Sequence, residues 1–228
     1  RFTVYACSLF YHGESKFPDH VSPGEPLKPE YLKQGVIEFC NQLKIDRFSL
    51  MGYSLGGRLV LKLVEMMPQR INKVLLLAPD GVKKNRWYYF ATNHFIGKRL
   101  FNRMVYKPKI LFRMVNLFRA FRIISEKLKK FVYSQYGDAE NRMKILNVWN
   151  TYSIITPRVR DVKAKIREHQ LKTLIFTGEY DPVLDQKIGY ILSVGIEDQV
   201  KWIKMKAGHD LLKTNYVDQI RGELSWLE

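Results

Sequence analysis

The chain has 228 residues, of which 46% are apolar and 26% charged. That length fits one domain with room for a large insertion. The apolar content excludes a disordered chain, and no apolar run reaches the ~20 residues needed to span a bilayer. Lys and Arg number 38 against 22 Asp and Glu, an excess of 16. All of it lies in residues 83–170, which hold 21 basic and 5 acidic residues, while the remainder carries 17 of each. A neutral body therefore carries one basic segment.

The first predicted element is a strand over residues 2–7, Phe-Thr-Val-Tyr-Ala-Cys, a short run of β-formers. A loop studded with Pro18, Pro23, Gly24, Pro26 and Pro29 follows. The three- and four-residue spacing of Tyr31, Leu32, Gly35, Val36, Phe39, Cys40 and Leu43 then predicts a helix. A second strand, 47–51, leads through a glycine-rich turn into a helix that stops at Pro68, and a third strand covers 73–78. From about 82 to 160 the alternation gives way to a helical, basic and aromatic stretch. It resumes with a helix over 161–169, a strand over 171–177, a helix over 186–194, a strand over 199–205 and a closing helix. These strands are almost continuously apolar, as strands covered on both faces are. Alternation with helices predicts an α/β fold with a mostly parallel sheet.

Cys7 and Cys40 sit in apolar surroundings without metal-ligand spacing and read as two buried thiols of a reducing compartment. No secretory apolar region opens the chain, so a cytoplasmic location is expected. No cofactor and no metal are implied.

Gly52-Tyr53-Ser54-Leu55-Gly56 matches G-x-S-x-G between a strand and a helix. A nucleophile on so sharp a turn holds strained backbone angles, and residues two positions away must be small for strand and helix to approach. Gly52 and Gly56 are assigned that role. The turn lifts the Ser54 hydroxyl above the sheet edge, and the Leu55 amide, at the positive end of the next helix, faces the place where an oxyanion forms. Two later strands end in Gly178-Glu179-Tyr180-Asp181-Pro182-Val183 and near Ala207-Gly208-His209-Asp210.

With Ser, Asp and His in that order, each on a loop after a strand, the chain resembles the α/β-hydrolase-fold serine hydrolases, of the esterase and lipase kind. The resemblance covers 1–81 and 161–228, the expected core; residues 82–160 fall where that family inserts a helical cap. It implies Ser54 as nucleophile, His209 as general base and Asp181 as the acid that orients the imidazole. Asp80 is the rival acid, because some members place the acid after the strand that follows the nucleophile helix. Asp185 and Asp210 read as helix-start or solvated carboxylates.

His12-Gly13-Glu14-Ser15 also fits the family's loop after the fourth strand of eight, though Ser8 stands where the family has Asp and Tyr11 where it has Gly. His12 as a base is the weaker assignment. That placement puts three strands ahead of Arg1, and with them the loop that supplies the second oxyanion amide; the expectation is an N-terminally incomplete form, or a segment contributed from elsewhere.

The expected function is cleavage of a carboxylic ester or related acyl bond of a hydrophobic small molecule through an acyl-enzyme. Serine at position 54 argues against the carboxylate-nucleophile chemistry of haloalkane dehalogenases and epoxide hydrolases. The alternative is a non-catalytic protein whose basic cap binds an anionic membrane or a partner. For the cap itself three readings stand: a solvated basic face, an amphipathic face for anionic membrane, and a pocket whose arginines receive a carboxylate or phosphate. No nucleic-acid-binding motif accompanies the charge, so nucleic acid is not an expected partner.

Overall fold

The computed structural model describes residues 3–17, 25–185 and 187–227. Pro18, Pro23 and Gly24 of the expected loop, and Gln186 of the expected helix, lie outside the described residues. The chain divides into two compact units, Arg1–Leu27 with Arg86–Ile154, and Lys28–Asn85 with Ile155–Glu228.

The second unit is built on a sheet. Helix α1 (Pro29–Gln42) opens with proline at its first position, where the missing N–H costs nothing. Strand β1 (Phe48–Tyr53), helix α2 (Leu55–Met66) and strand β2 (Ile71–Leu77) follow.

The helical unit then intervenes with α3 (Arg86–Asn93), α4 (Phe95–Tyr106), α5 (Pro108–Ala120), α6 (Glu126–Tyr136) and α7 (Ala139–Thr151). The sheet unit resumes with α8 (Val159–Glu168), β3 (Lys172–Gly178), α9 (Ile188–Ser193), β4 (Val200–Met205) and α10 (Val217–Glu223), closing on a 3₁₀ turn, Leu224–Leu227.

The four strands are all parallel, in the order β1-β2-β3-β4. Their side chains alternate between two apolar layers. Val74, Leu76 and Ile175 pack with Val60 and Val64 of α2, Ile166 of α8 and Leu192 of α9. Leu77, Leu174 and Phe176 face the other way, onto Leu211 and Leu227. Parallel strands wound this way bring their carboxyl ends to one edge, and the loops that leave that edge carry the candidate site.

In the helical unit Phe101, Val105, Tyr136 and Leu146 form the core. The Phe101 and Trp149 rings stack with centroids 5.0 Å apart. Ser125 and Asp138 cap α6 and α7, their side chains accepting from the amides of Leu128 and Asn141. The N-terminal segment is tied to the end of α7: Leu27 N–H donates to the Thr151 carbonyl, and Phe10 N–H to the Tyr152 hydroxyl at 2.9 Å.

That tie goes with a correction. The strand predicted over residues 2–7 does not form in its described part; residues 3–9 have no regular structure. An apolar run becomes a strand only where another strand completes its ladder, and among the described residues none does so. Cys7 is accordingly exposed, against the expectation of two buried thiols, whereas Cys40 is buried in α1.

Candidate active site

β1 ends at Tyr53 and α2 begins at Leu55, so Ser54 alone makes the turn. Its φ of 49° and ψ of −114° lie in a region that non-glycine residues avoid, a cost of about 1–3 kcal/mol that only surrounding structure can sustain. That structure is visible. Ser54 N–H donates to the Leu77 carbonyl at 3.0 Å, and its own carbonyl accepts from Asp80 N–H at 3.0 Å. A serine ahead of a helix usually turns its hydroxyl back onto the first amides. Ser54 makes no such cap bond. Its Oγ lies 3.0 Å from His209 Nε2 instead, and the Leu55 amide, first of the helix, has no intrahelical acceptor.

The glycines need one correction. A Cβ on Gly52 would sit 2.6 Å from the Gly56 carbonyl oxygen, so Gly52 is required by packing. A Cβ on Gly56 would meet nothing within 4 Å, whereas one on Gly57 would lie 2.7 Å from Pro79 Cα and Cβ. The room assigned to Gly56 is needed at Gly57, because α2 turns that position, not its neighbour, toward the loop after β2. The sequence held the signal in the Gly56-Gly57 pair; the spacing of G-x-S-x-G drew attention to the wrong member.

Beyond the strand ends, the pairing of β3 with β4 continues: Glu179 N–H donates to the Met205 carbonyl and Tyr180 N–H to that of Ala207. The loops bearing Asp181 and His209 are thereby held side by side. Asp181 Oδ1 accepts from the amides of Val183 at 2.7 Å and Leu184 at 3.0 Å. Its Oδ2 lies 2.7 Å from His209 Nδ1, with the carboxylate side chain 4% exposed and the imidazole 19%. A carboxylate only accepts, so Nδ1 carries the proton and the Nε2 lone pair faces the serine hydroxyl. Asp181, His209 and Ser54 thus form one hydrogen-bonded chain.

Tyr53, which the motif leaves unspecified and sequence reasoning passed over, supports the imidazole. Its ring centroid is 5.4 Å from that of His209, and its hydroxyl donates to the His209 carbonyl at 3.3 Å. Burial, then the nearby Asp210 and Asp181 carboxylates, push the phenol up to about 12, so it stays a neutral donor at ordinary pH.

The other candidates lie elsewhere. Asp80 pairs with the buried Arg58 and accepts from Gly81 N–H at 2.6 Å; it does not bond His209. Asp185 pairs with Lys83 and accepts from Lys187 N–H, and the Lys83 ammonium is the main cause holding its carboxyl below the usual range. Asp210 is exposed, 3.8 Å from Lys213. His12 belongs to the helical unit, where with Gln135, Asn141 and Lys144 it lines a cavity of about 250 Å³. Among the described residues no cluster of three His, Cys, Asp or Glu is arranged to hold a metal ion.

A parallel sheet with a strained serine between strand and helix, and an acid and a histidine on the loops of the following strands, defines the architecture of the α/β hydrolases. The family model for the alpha/beta hydrolase fold matches residues 1–216, and the chain belongs to that family. An uncharacterized protein of Mycobacterium tuberculosis (strain ATCC 25618 / H37Rv) is 29% identical over 85 residues, 37% of this chain and 24% of its own length, so the match spans about a quarter of that relative. Among solved structures, a hydrolase from Pseudomonas aeruginosa PA01 superposes with a TM-score of 0.59 at 19% identity, over 95% of this chain and 76% of its own. The 2-hydroxy-6-oxo-6-phenylhexa-2,4-dienoate hydrolase of Rhodococcus sp. strain RHA1 does so with a TM-score of 0.59 at 18% identity, over the same shares. Likeness at these identities is likeness of fold.

Proposed function

We propose that the chain is a serine hydrolase that cleaves a carboxylic ester, or a related acyl bond, of a hydrophobic small molecule through an acyl-enzyme. One observation carries this reading: the unbroken hydrogen-bonded chain from Asp181 through His209 to Ser54, on a serine whose strained backbone keeps its hydroxyl off the helix cap. His209 Nε2 takes the proton as Ser54 Oγ attacks the acyl carbon. Asp181 holds the imidazole in the tautomer that can accept, and stabilises the imidazolium that results. The Leu55 amide, at the positive end of α2, donates to the oxyanion. Nε2 then returns the proton to the leaving group, and water repeats the sequence on the acyl-enzyme.

A fluorophosphonate probe tests this. The native chain is expected to be labelled, and Ser54→Ala to lose both the label and at least ~10⁴-fold of p-nitrophenyl ester hydrolysis. Labelling that survives in Ser54→Ala, or a folded native chain that takes no label, overturns the proposal.

A further inference from the structure

The helical unit carries a basic and aromatic surface. Residues 81–125 contain eleven Lys and Arg and no Asp or Glu. On α4 the exposed positions include Phe95, Arg99, Arg103 and Tyr106, which recur at three- and four-residue spacing and so share one helix face, opposite the buried Phe101 and Val105. Phe95 is 77% exposed. An aromatic residue thus stands at each end of a basic stripe.

Helix α5 follows α4 and packs against it, and its C-terminal turn also pairs exposed apolar residues with an exposed arginine. The helix closes on Arg122 in the left-handed conformation (φ 57°). Arg122 N–H donates to the Arg119 carbonyl and Ile123 N–H to that of Phe118, the bonding of a Schellman turn, whose following apolar residue normally packs back on the helix. The same turn closes α1 at Lys44 and α8 at Gln170. There the following residues, Ile45 and Leu171, are half-buried and buried. Ile123 is 66% exposed and Phe121, on the other side of Arg122, 70%. A hydrogen-bonded turn therefore holds two large apolar side chains out in solvent on either side of the exposed Arg122, while the neighbouring Arg119 pairs with Glu126 at 2.9 Å.

We propose that α4 and the Phe121-Arg122-Ile123 turn dock on an anionic lipid surface, the aromatic and aliphatic side chains entering the headgroup boundary and the arginines engaging lipid phosphates. Charge complementarity selects an anionic partner, and the aliphatic tip selects lipid among anionic partners. Isoleucine cannot stack on a base or bond a phosphate, but it gains by entering the acyl boundary. No helix among the described residues is long and apolar enough to cross a membrane, so these helices offer a face that lies in the interface plane.

The test is co-sedimentation of the full chain with vesicles of phosphatidylcholine alone, and with vesicles of equal parts phosphatidylcholine and phosphatidylglycerol. Binding at least ~10-fold tighter to the anionic vesicles is expected. Arg99→Glu with Arg103→Glu should weaken it at least ~30-fold, and Phe121→Ser with Ile123→Ser at least ~10-fold, with the salt dependence retained. Negligible binding to both vesicle types, or equal binding to both, overturns the proposal. So does anionic binding that the Phe121→Ser, Ile123→Ser variant retains in full and duplex DNA competes away, since charge alone then accounts for it.

Discussion

Ser54 shows how one residue's conformation decides what its side chain can do. In an ordinary N-cap the hydroxyl accepts from the helix amides; at φ 49° and ψ −114° it is turned to His209. The same economy holds at Asp181, whose Oδ1 is occupied by two loop amides while its Oδ2 meets His209. Asp181→Asn tests that arrangement. An amide can present its NH₂ to Nδ1 and drive the proton to Nε2, the wrong tautomer for accepting from Ser54. Ester turnover should fall by about 10⁴-fold near neutral pH while the fold is kept, with turnover read by initial rates and the fold by circular dichroism. At this scale Ser54, Asp181 and His209 were legible because each sits in a short local pattern after a strand. Tyr53 was not, because its value lies in contact with a residue 156 positions away.

At the scale of elements, β1, β2, β3 and β4 were legible as apolar runs followed by turn residues, and their ends shifted by only one or two residues. The run at 2–7 read the same way but formed no strand in its described part, since a ladder requires a neighbour that composition cannot supply. The junction of β1 and α2 carries a paired prediction. Gly57→Ala should destabilise by about 1–3 kcal/mol, because Pro79 Cα and Cβ lie within 2.7 Å of the added methyl. Gly56→Ala meets nothing within 4 Å, and should be neutral or gain up to about 1 kcal/mol from better helix propensity. Urea unfolding of both variants checks the contrast; equal midpoints would remove the steric argument.

Across the whole molecule, burial of phenols links stability to alkaline pH. Tyr53 and Tyr152 are both pushed up to about 12 from 10.0, chiefly by burial, and Tyr136 higher still from the same cause. Unfolded tyrosines release protons near 10, so above that pH the folded chain binds more protons than the unfolded one. The contribution is therefore fully present below pH 10 and is lost as pH rises toward 12. Denaturant midpoints should fall across that window, with phenolate absorbance of the buried tyrosines appearing together with unfolding. Constant midpoints would show that these phenols titrate as if exposed. The division of the chain was legible only in part. The basic helical stretch announced itself by charge and aromatic content, but the grouping of Arg1–Leu27 with it depends on bonds such as Leu27 to Thr151 that span more than a hundred residues.

By itself, the sequence determined the parallel α/β pattern, because periodicity and turn chemistry are local properties of the chain, and its motifs carried the resemblance to the family and the candidate serine, acid and histidine. Tertiary structure alone decided that Gly57 rather than Gly56 must lack a side chain, and that Ile123 stays in solvent where its counterparts Ile45 and Leu171 do not. Each of these turns on a distance between groups far apart in the chain or on what packs against a surface, and neither quantity exists until the strands have paired and the helices have docked.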